Sequence, residues 1–389
     1  MQKTGVIDIT VLMTVYNGGG FLKKSVESVL AQTFDNFEFL IVDDCSTDNT
    51  ASVIESYNDS RIVLYKNAAN QGQTRSLNTG LREARGEYIA RMDADDMAFP
   101  DWLEKLYRFA KNNSEYSVVS CQSIIIDEDD KIKFVTEAPD SYQEVILKNI
   151  MESSINHVGS LMRREDIVKE GGYDDNYRIV ADYDLWTRLL IKKYKLVNIN
   201  EILTATRIHG VSATSRGKNT RDLEIVDVMQ KNLANFTNSA LTKEDLGILW
   251  KILHNIKDCV DEAGMAEKLI NSVYGSLKPE LGLPGDLAQK IKEGKKKQIL
   301  KKRIFVLLQN GKHDLARDVL KEYIRANGWF NFFGLIYFLS FFPIFTRNIE
   351  SMYYRSLNLI TNARSGAAVE RFKNKVLAAR PDQRKAGLI

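Results

Sequence analysis

The sequence predicts an α/β fold, a doubly wound and mainly parallel sheet, followed from about residue 220 by an α-helical region. Apolar, β-branched runs such as Ile9-Thr-Val-Leu-Met-Thr-Val15 and Phe37-Glu-Phe-Leu-Ile-Val42 have the character of strands covered on both faces. Amphipathic stretches alternate with them. Beyond residue 220 the sheet-type runs stop and helical periodicity takes over. In such folds ligands sit at the carboxyl ends of the strands.

Tyr16-Asn-Gly-Gly-Gly20 ends the first strand, and Phe21 to Ala31 places Leu22, Val26, Val29 and Leu30 on one helical face. With the strand Phe37 to Val42 this makes a βαβ unit, and the alternation repeats. A helix is expected from about Thr50 to Tyr57, a strand from Ile62 to Tyr65, a helix from Thr74 to Arg85 and a short strand from Tyr88 to Met92. A helix from Asp101 to Asn112 and a strand from Val118 to Cys121 follow. Ser154 to Arg163 reads as a strand entered from a loop and Gly171-Gly-Tyr-Asp-Asp175 as a turn. Val180 to Leu190 starts a helix that turns Leu185, Trp186, Leu189 and Leu190 inward. Thr206-Arg-Ile-His-Gly-Val-Ser212 closes the region, with Ser212 to Asn219 as a candidate lid. Helical runs Leu246 to Leu253 and His313 to Ile324, with a break at Leu281-Gly-Leu-Pro-Gly285, belong to the remainder.

At 389 residues the chain is too long for one ordinary domain, so a main domain with an appendage is expected. Its 54 Lys and Arg nearly balance 51 Asp and Glu, which argues against a nucleic-acid partner. Cys45, Cys121 and Cys259 lie far apart without CxxC or Cys/His clustering, so neither a disulfide framework nor a zinc site is predicted. A polar N-terminus leading straight into a strand predicts no signal peptide and a cytoplasmic location. Lys295-Lys-Lys297 and Lys301-Lys-Arg303 read as solvated basic faces. Trp329 to Phe345 is aromatic and apolar, yet with Asn331, Ser340 and Pro343 inside it falls short of the ~20 apolar residues of a comfortable span. It reads as an interfacial helix on an anionic leaflet, as a core or oligomer helix, or as a true span. Arg371 to Ile389 reads as a frayed helix or tail.

Chemistry concentrates at three strand ends: Thr14-Val-Tyr-Asn17, Asp43-Asp-Cys-Ser-Thr-Asp48 and Asp93-Ala-Asp-Asp96. Unpaired buried carboxylates are costly, so the last group needs a positive partner. A divalent cation fits. Asp93 and Asp95, two apart on an extended chain, would face one side, and hard oxygen donors suit Mg²⁺ or Mn²⁺ carried with a phosphorylated ligand. The alternative is an acidic turn that caps the helix near Pro100 through Asp96 or Asp101. Gly18-Gly-Gly20 lacks GxGxxG spacing and no GxxxxGK[ST] loop occurs, which argues against a dinucleotide-binding Rossmann domain and a P-loop. These strand ends would instead hold a nucleotide by stacking on Tyr16, bonding the base to Asp44 and bridging a diphosphate through a metal on Asp95. Asp43 and Asp48 read as loop-ordering and helix-capping groups.

Val11-Leu-Met-Thr-Val-Tyr-Asn17, Ser28-Val-Leu-Ala-Gln-Thr-Phe34, Phe39-Leu-Ile-Val-Asp-Asp-Cys-Ser-Thr-Asp48, Asn70-Gln-Gly72 and Gly86-Glu-Tyr-Ile-Ala-Arg-Met-Asp-Ala-Asp-Asp96 together resemble the family 2 glycosyltransferases, inverting enzymes of GT-A fold. The resemblance covers roughly residues 7 to 215. It implies that Tyr16 and Asp44 contact the base, with Thr14, Asn17 and Ala94 in the same donor site. It further implies that Asp93 lies against the ribose or metal and that Asp95 is the ligand of Mn²⁺ or Mg²⁺. Asp182 resembles the aspartate of the family's ED motif, the general base, although the preceding position, often Glu, is Ala181 here. The other reading of Asp182 is an N-cap. Asp184 reads as structural. Arg207 and His209 resemble the Arg-x-His segment that approaches the diphosphate or metal, the alternative being a polar loop with no ligand role. His157 reads as an acceptor-site group or a buried, satisfied histidine, and Trp186 as an acceptor contact.

The resemblance implies a catalytic domain over residues 1–220, with a nucleotide-binding half (1–122) and an acceptor half (123–220), and a helical appendage over 221–389. It also implies metal-dependent transfer of a sugar from a nucleotide-diphosphate sugar, a UDP-sugar by Tyr16 and Asp44, to a hydroxyl of a saccharide or lipid-linked saccharide. The expected setting is surface polysaccharide biosynthesis on the inner face of the plasma membrane, with the oligomeric state left open. Two rival readings remain. A sugar-1-phosphate nucleotidyltransferase should open with a Gly-rich, Arg/Lys-bearing phosphate loop, which Tyr16-Asn-Gly-Gly-Gly20 lacks. A non-catalytic membrane-associated assembly protein would have no use for Asp182.

Overall fold

The structure is a computed structural model that describes residues 6–210, 217–254, 263–309 and 312–327. Strands β1 (Ile9–Val15), β2 (Phe37–Asp43), β3 (Ile62–Lys66) and β4 (Tyr88–Arg91) pair in parallel in the order β3-β2-β1-β4. The sheet continues through β8 (Leu161–Arg163), antiparallel to both β4 and β6 (Tyr116–Ile126). β9 (Lys195–Arg207) lies parallel to β6 along its length. Two short antiparallel additions, β5 (Met97–Ala98) on β9 and β7 (Ile132–Val135) on β6, finish it. The long pairings are parallel and the short ones antiparallel.

Burial explains the sequence of these strands. Leu12, Leu40, Val42 and Ile89 belong to one core, while Val11, Met13, Phe39, Ile41 and Ala90 belong to the other. Alternate side chains point to opposite faces, and both faces are covered, so the strands need unbroken apolar sequence. Helices α1 (Leu22–Leu30), α2 (Thr50–Glu55) and α4 (Trp102–Asn112) cover the second face through Val26, Val29, Ile54, Trp102 and Leu106. Helices α3 (Gln73–Glu83), α5 (Tyr142–Asn149), α6 (Arg164–Lys169) and α7 (Ala181–Ile191) cover the first through Leu77, Leu81, Val145, Ile167, Leu185 and Leu189. That first core runs on without a break into helices Lys218–Phe236, Lys243–His254, Ala263–Gly275 and Gly285–Gln309 through Val228, Leu249, Ile270 and Ile299. Gly86 sets the approach of β4 to β1, because a Cβ there would stand 2.4 Å from the Thr10 amide nitrogen.

Three expectations change. β6 extends to Ile126, five residues past Cys121, and β9 is a thirteen-residue strand that the sequence, broken by Asn198, Asn200 and Glu201, did not announce. Lys295 is not a solvated side chain: it is buried and its Nζ lies 2.7 Å from Glu152 Oε2. Residues 329–345, the tail from Arg371, Cys259 and residues 212–216 of the candidate lid lie outside the described residues. Among the described residues, no helix is long and apolar enough to cross a membrane.

Candidate active site

The carboxyl ends of β1, β2 and β4 are adjacent because the strands are parallel and in register: Val15 pairs with Asp43, and the Met92 amide donates to the Leu12 carbonyl at 3.2 Å. Tyr16 emerges 49% exposed at the end of β1, above the buried Thr14. Asn17 adopts φ +52°, which Asn tolerates better than most residues, and its Oδ1 accepts the Thr47 amide at 2.8 Å. That contact staples the β1 end to the β2 end. Asp43 accepts the Ser46 amide at 3.0 Å and Asp48 accepts the Thr50 amide at 2.9 Å, the loop-ordering contacts expected of them.

Asp44 is buried. Its Oδ1 accepts Asn67 Nδ2 at 2.8 Å and the Gln71 amide at 2.9 Å, and its Oδ2 accepts the Gly72 amide at 2.8 Å. The carboxylate therefore orders the loop beside Tyr16, and one lone pair of Oδ2 is left over.

Residues 93–96 form a turn, the Asp96 amide donating to the Asp93 carbonyl at 3.3 Å, so Asp93 and Asp95 are not two residues of an extended strand facing one side. Asp93 pairs with the guanidinium of Arg91, a residue with no exposed surface inside β4, and takes Gln73 Nε2 at 3.2 Å. Ala94 packs at the edge of the second core. Asp95 Oδ2 lies 2.8 Å from His209 Nε2. Asp96 is buried and accepts the Arg207 amide at 2.6 Å, which ties the turn to the end of β9. Neither capping alternative is realised: Asp101 stands at the N-cap of α4 without a side-chain capping bond. Burial raises Asp95 above the usual carboxylate range, with the Asp93 charge adding to it, and burial pushes Asp96 well up with Asp95 and Asp93 adding.

Arg207, expected to approach the diphosphate, is held by the protein through most of its guanidinium. Its guanidinium is enclosed, donating to the Asp95 carbonyl at 3.0 Å and the Asp127 carbonyl at 2.8 Å and pairing with Asp130 at 2.7 Å, over the Phe21 ring at 4.5 Å. It builds the wall that holds His209, whose ring lies 5.3 Å from Phe21. Nη2 of Arg207 has no protein partner. An open cleft of about 490 Å³, lined by Asp127, Glu128, Asp129, Ile208, His209 and Gly210, adjoins this wall.

Asp182 sits in the first turn of α7, near enough to the β4 end that Asp93 and Arg91 both act on it. Burial pushes its carboxyl up to about 6, against the amides of Tyr183 and Asp182 itself, which pull the other way. The N-cap is Val180, so Asp182 is not the capping residue. His157 Nε2 lies 2.8 Å from the Tyr173 hydroxyl, and burial with the nearby Arg91 charge holds its imidazole well below the usual range, hence neutral. Trp186, expected to contact an acceptor, is fully buried, its ring 6.0 Å from His157, and belongs to the inward row of α7. Asp184 is structural, taking Arg188 at 2.7 Å and Lys231 at 2.8 Å with no exposed surface.

Among the described residues, no three His, Cys, Asp or Glu side chains converge as a metal cage. The Asp95–His209 pair still fits a divalent cation that takes its other ligands from water and phosphate oxygens. It offers one carboxylate oxygen and one imidazole nitrogen side by side, in a place where burial, with the Asp93 charge adding to it, already raises the carboxyl. Sequence reasoning missed Arg91, although its signal was visible: a guanidinium inside an apolar strand, two residues before Asp93, must be paired.

Known proteins resemble this chain in sequence and in fold. Residues 10–172 match the family model described as glycosyl transferase family 2. An uncharacterized glycosyltransferase of Methanocaldococcus jannaschii is 34% identical over 205 residues, 51% of this chain and 70% of that one. The EpsE protein of Bacillus subtilis, which carries a glycosyltransferase name, is 32% identical over 206 residues, 51% of this chain and 72% of that one. Among solved structures, S. aureus TarS 1-349 in complex with UDP-GlcNAc superposes with a TM-score of 0.50 at 14% identity, covering 90% of this chain and 92% of that one, a likeness of fold. The fold is GT-A, and the chain belongs to glycosyltransferase family 2.

Proposed function

We propose that this glycosyltransferase moves a sugar from a nucleoside-diphosphate sugar, a UDP-sugar, to a hydroxyl group by a single in-line displacement, with Asp182 as the general base. The observation that carries the proposal is the Asp182 carboxyl, held at about 6 in the first turn of α7 and under the influence of Asp93 and Arg91. A base with that value is ionised at neutral pH yet accepts a proton readily. The acceptor oxygen bonds to the anomeric carbon as the bond to the diphosphate breaks. Asp182 takes the hydroxyl proton, and the configuration inverts.

Tyr16 presents an exposed ring on which a base would stack. Asp44 orders the Asn67–Gly72 loop beside it and keeps one lone pair for a base N–H. Uridine is chosen on these two residues and on the fold shared with TarS, whose structure holds UDP-GlcNAc. Asp95 and His209 would hold Mn²⁺ or Mg²⁺, which when bound supplies Lewis-acid stabilisation to the leaving diphosphate. Asp93, clamped by Arg91 and Gln73, would meet the ribose or the metal. His157, neutral and bonded to Tyr173, would serve the acceptor half of the site. The acceptor is a saccharide or lipid-linked saccharide of a surface polysaccharide, met at the inner face of the membrane, with residues 1–220 as the catalytic domain.

The test is UDP release from UDP-glucose, UDP-galactose and UDP-N-acetylglucosamine, with and without Mn²⁺. Metal-stimulated release that Asp182→Asn abolishes supports the proposal. Release by Asp182→Asn at the wild-type rate overturns the assignment of the base.

A further inference from the structure

The carboxylate that sets the start of α7 comes from the helical region. Glu224, on helix Lys218–Phe236, accepts three consecutive main-chain amides: Arg178 on Oε1 at 2.9 Å, and Ile179 and Val180 on Oε2 at 3.0 and 3.2 Å. Val180 is the N-cap of α7 and has no side-chain oxygen with which to cap it. The first amides of a helix need an acceptor, and an anion suits them best. Glu224 supplies it for the N-cap amide of Val180 from 44 residues away, and its other two bonds hold the two residues that lead into the helix.

The same helix grips α7 again one turn on. Lys231 Nζ lies 2.8 Å from Asp184 Oδ1 and 4.6 Å from the centre of the Tyr177 ring. The Tyr177 hydroxyl donates to Asp227, also on that helix. On the other side, Thr74 Oγ1 of α3 donates to the Tyr177 carbonyl at 2.7 Å. Residues 177–184, with Asp182 among them, are thus fixed at both ends by one helix that carries no residue of the donor site described above.

We propose that Glu224 is a positioning residue for transfer: by holding the amides of Arg178, Ile179 and Val180, it fixes where the first turn of α7 aims the Asp182 carboxylate. The proposal rests on the reading of Asp182 as the base. It also carries the catalytic unit past residue 220 into the helical region. A misplacement of about 1 Å at a reacting group costs on the order of 100-fold in rate. Donor binding, built on β1, β2 and β4, is separate from this clamp, so kcat and donor KM are expected to part.

The test compares the full-length chain with Glu224→Ala, Glu224→Gln and Asp182→Asn, using UDP release from whichever of the three UDP-sugars the wild type turns over fastest, together with Tm. Glu224→Ala is expected to lower kcat by about tenfold or more while donor KM stays within about twofold. Glu224→Gln keeps a carbonyl oxygen for Ile179 and Val180 and is expected to recover part of the loss. Unchanged kcat in Glu224→Ala overturns the proposal, as does a loss in which KM rises in parallel and Gln gives no recovery. If the Ala variant does not fold, the Gln variant is judged on the same split: lowered kcat at unchanged KM supports the clamp, and unchanged kcat overturns it. Asp182→Asn separates the two claims. Wild-type turnover there, or no turnover of any of the three probes by the wild type, sinks the reading underneath, whereas a dead Asp182→Asn beside a normal Glu224→Ala sinks only the clamp.

Discussion

His209 Nε2 stands 2.8 Å from Asp95 Oδ2, joining the end of β9 to the turn after β4 across 114 residues. Each side chain is steered by its own neighbours: Phe21 lies against the His209 ring, and Arg207 holds the Asp95 carbonyl at 3.0 Å. In the proposed metal site, Asp95→Asn removes the carboxylate charge and His209→Ala the imidazole nitrogen, while Arg207 and Asp96 stay in place. Either is expected to weaken Mn²⁺ affinity in the presence of UDP by about tenfold or more, read by titrating Mn²⁺ into the UDP-saturated chain.

Asp182→Asn keeps the shape of the side chain and removes its basicity. Turnover is expected to fall by ~10²–10⁴-fold, the usual contribution of a general base. UDP affinity, which depends on other elements, is expected to stay within about twofold. Steady-state kinetics and a UDP titration on the same preparation check both halves.

The raised Asp182 carboxyl also fixes a pH dependence. Protonated, it cannot accept the acceptor proton, so kcat/KM is expected to fall as pH drops through about 6. Stability moves the other way. Between its usual range near 4 and its folded value near 6, the native chain holds a proton that the unfolded chain has released, so stability falls as pH rises through that window. Asp182→Asn removes this cost and is expected to gain on the order of 1 kcal/mol over the wild type at pH 8, but not at pH 4. Thermal unfolding of both chains at the two pH values measures it.

Asp184 has no exposed surface and depends on two cations, Arg188 at 2.7 Å and Lys231 at 2.8 Å. Arg188 also donates to the carbonyls of Glu170 and Gly172, tying α7 to the turn before it. Arg188→Met leaves a buried carboxylate half-compensated and those carbonyls short of a donor. A loss of about 2–4 kcal/mol is expected, seen as a lower urea midpoint at unchanged slope.

The nucleotide-side strands were legible because each is a run of apolar, β-branched residues that both cores demand. Their ends were legible too, since carboxylates do not follow such runs without a purpose. β9 was not: Asn198 is buried on the Pro139 and Ser154 carbonyls, and a polar residue satisfied by tertiary contacts looks like a loop residue in sequence. The same reason hid Glu224, whose main-chain donors lie 44 to 46 residues upstream. Trp186 and Arg207 pose the opposite difficulty. Their chemistry suggested ligand contacts, but the inward periodicity of α7 and the anions around the β9 end claim them for the core and the wall.

The most direct measurement is a calorimetric titration of the full-length chain with UDP, with and without Mn²⁺. A nucleotide site at the ends of β1, β2 and β4, completed by Asp95 and His209, predicts binding that Mn²⁺ strengthens by about tenfold or more. Absence of UDP binding in both conditions, or equal affinity in both, would contradict it.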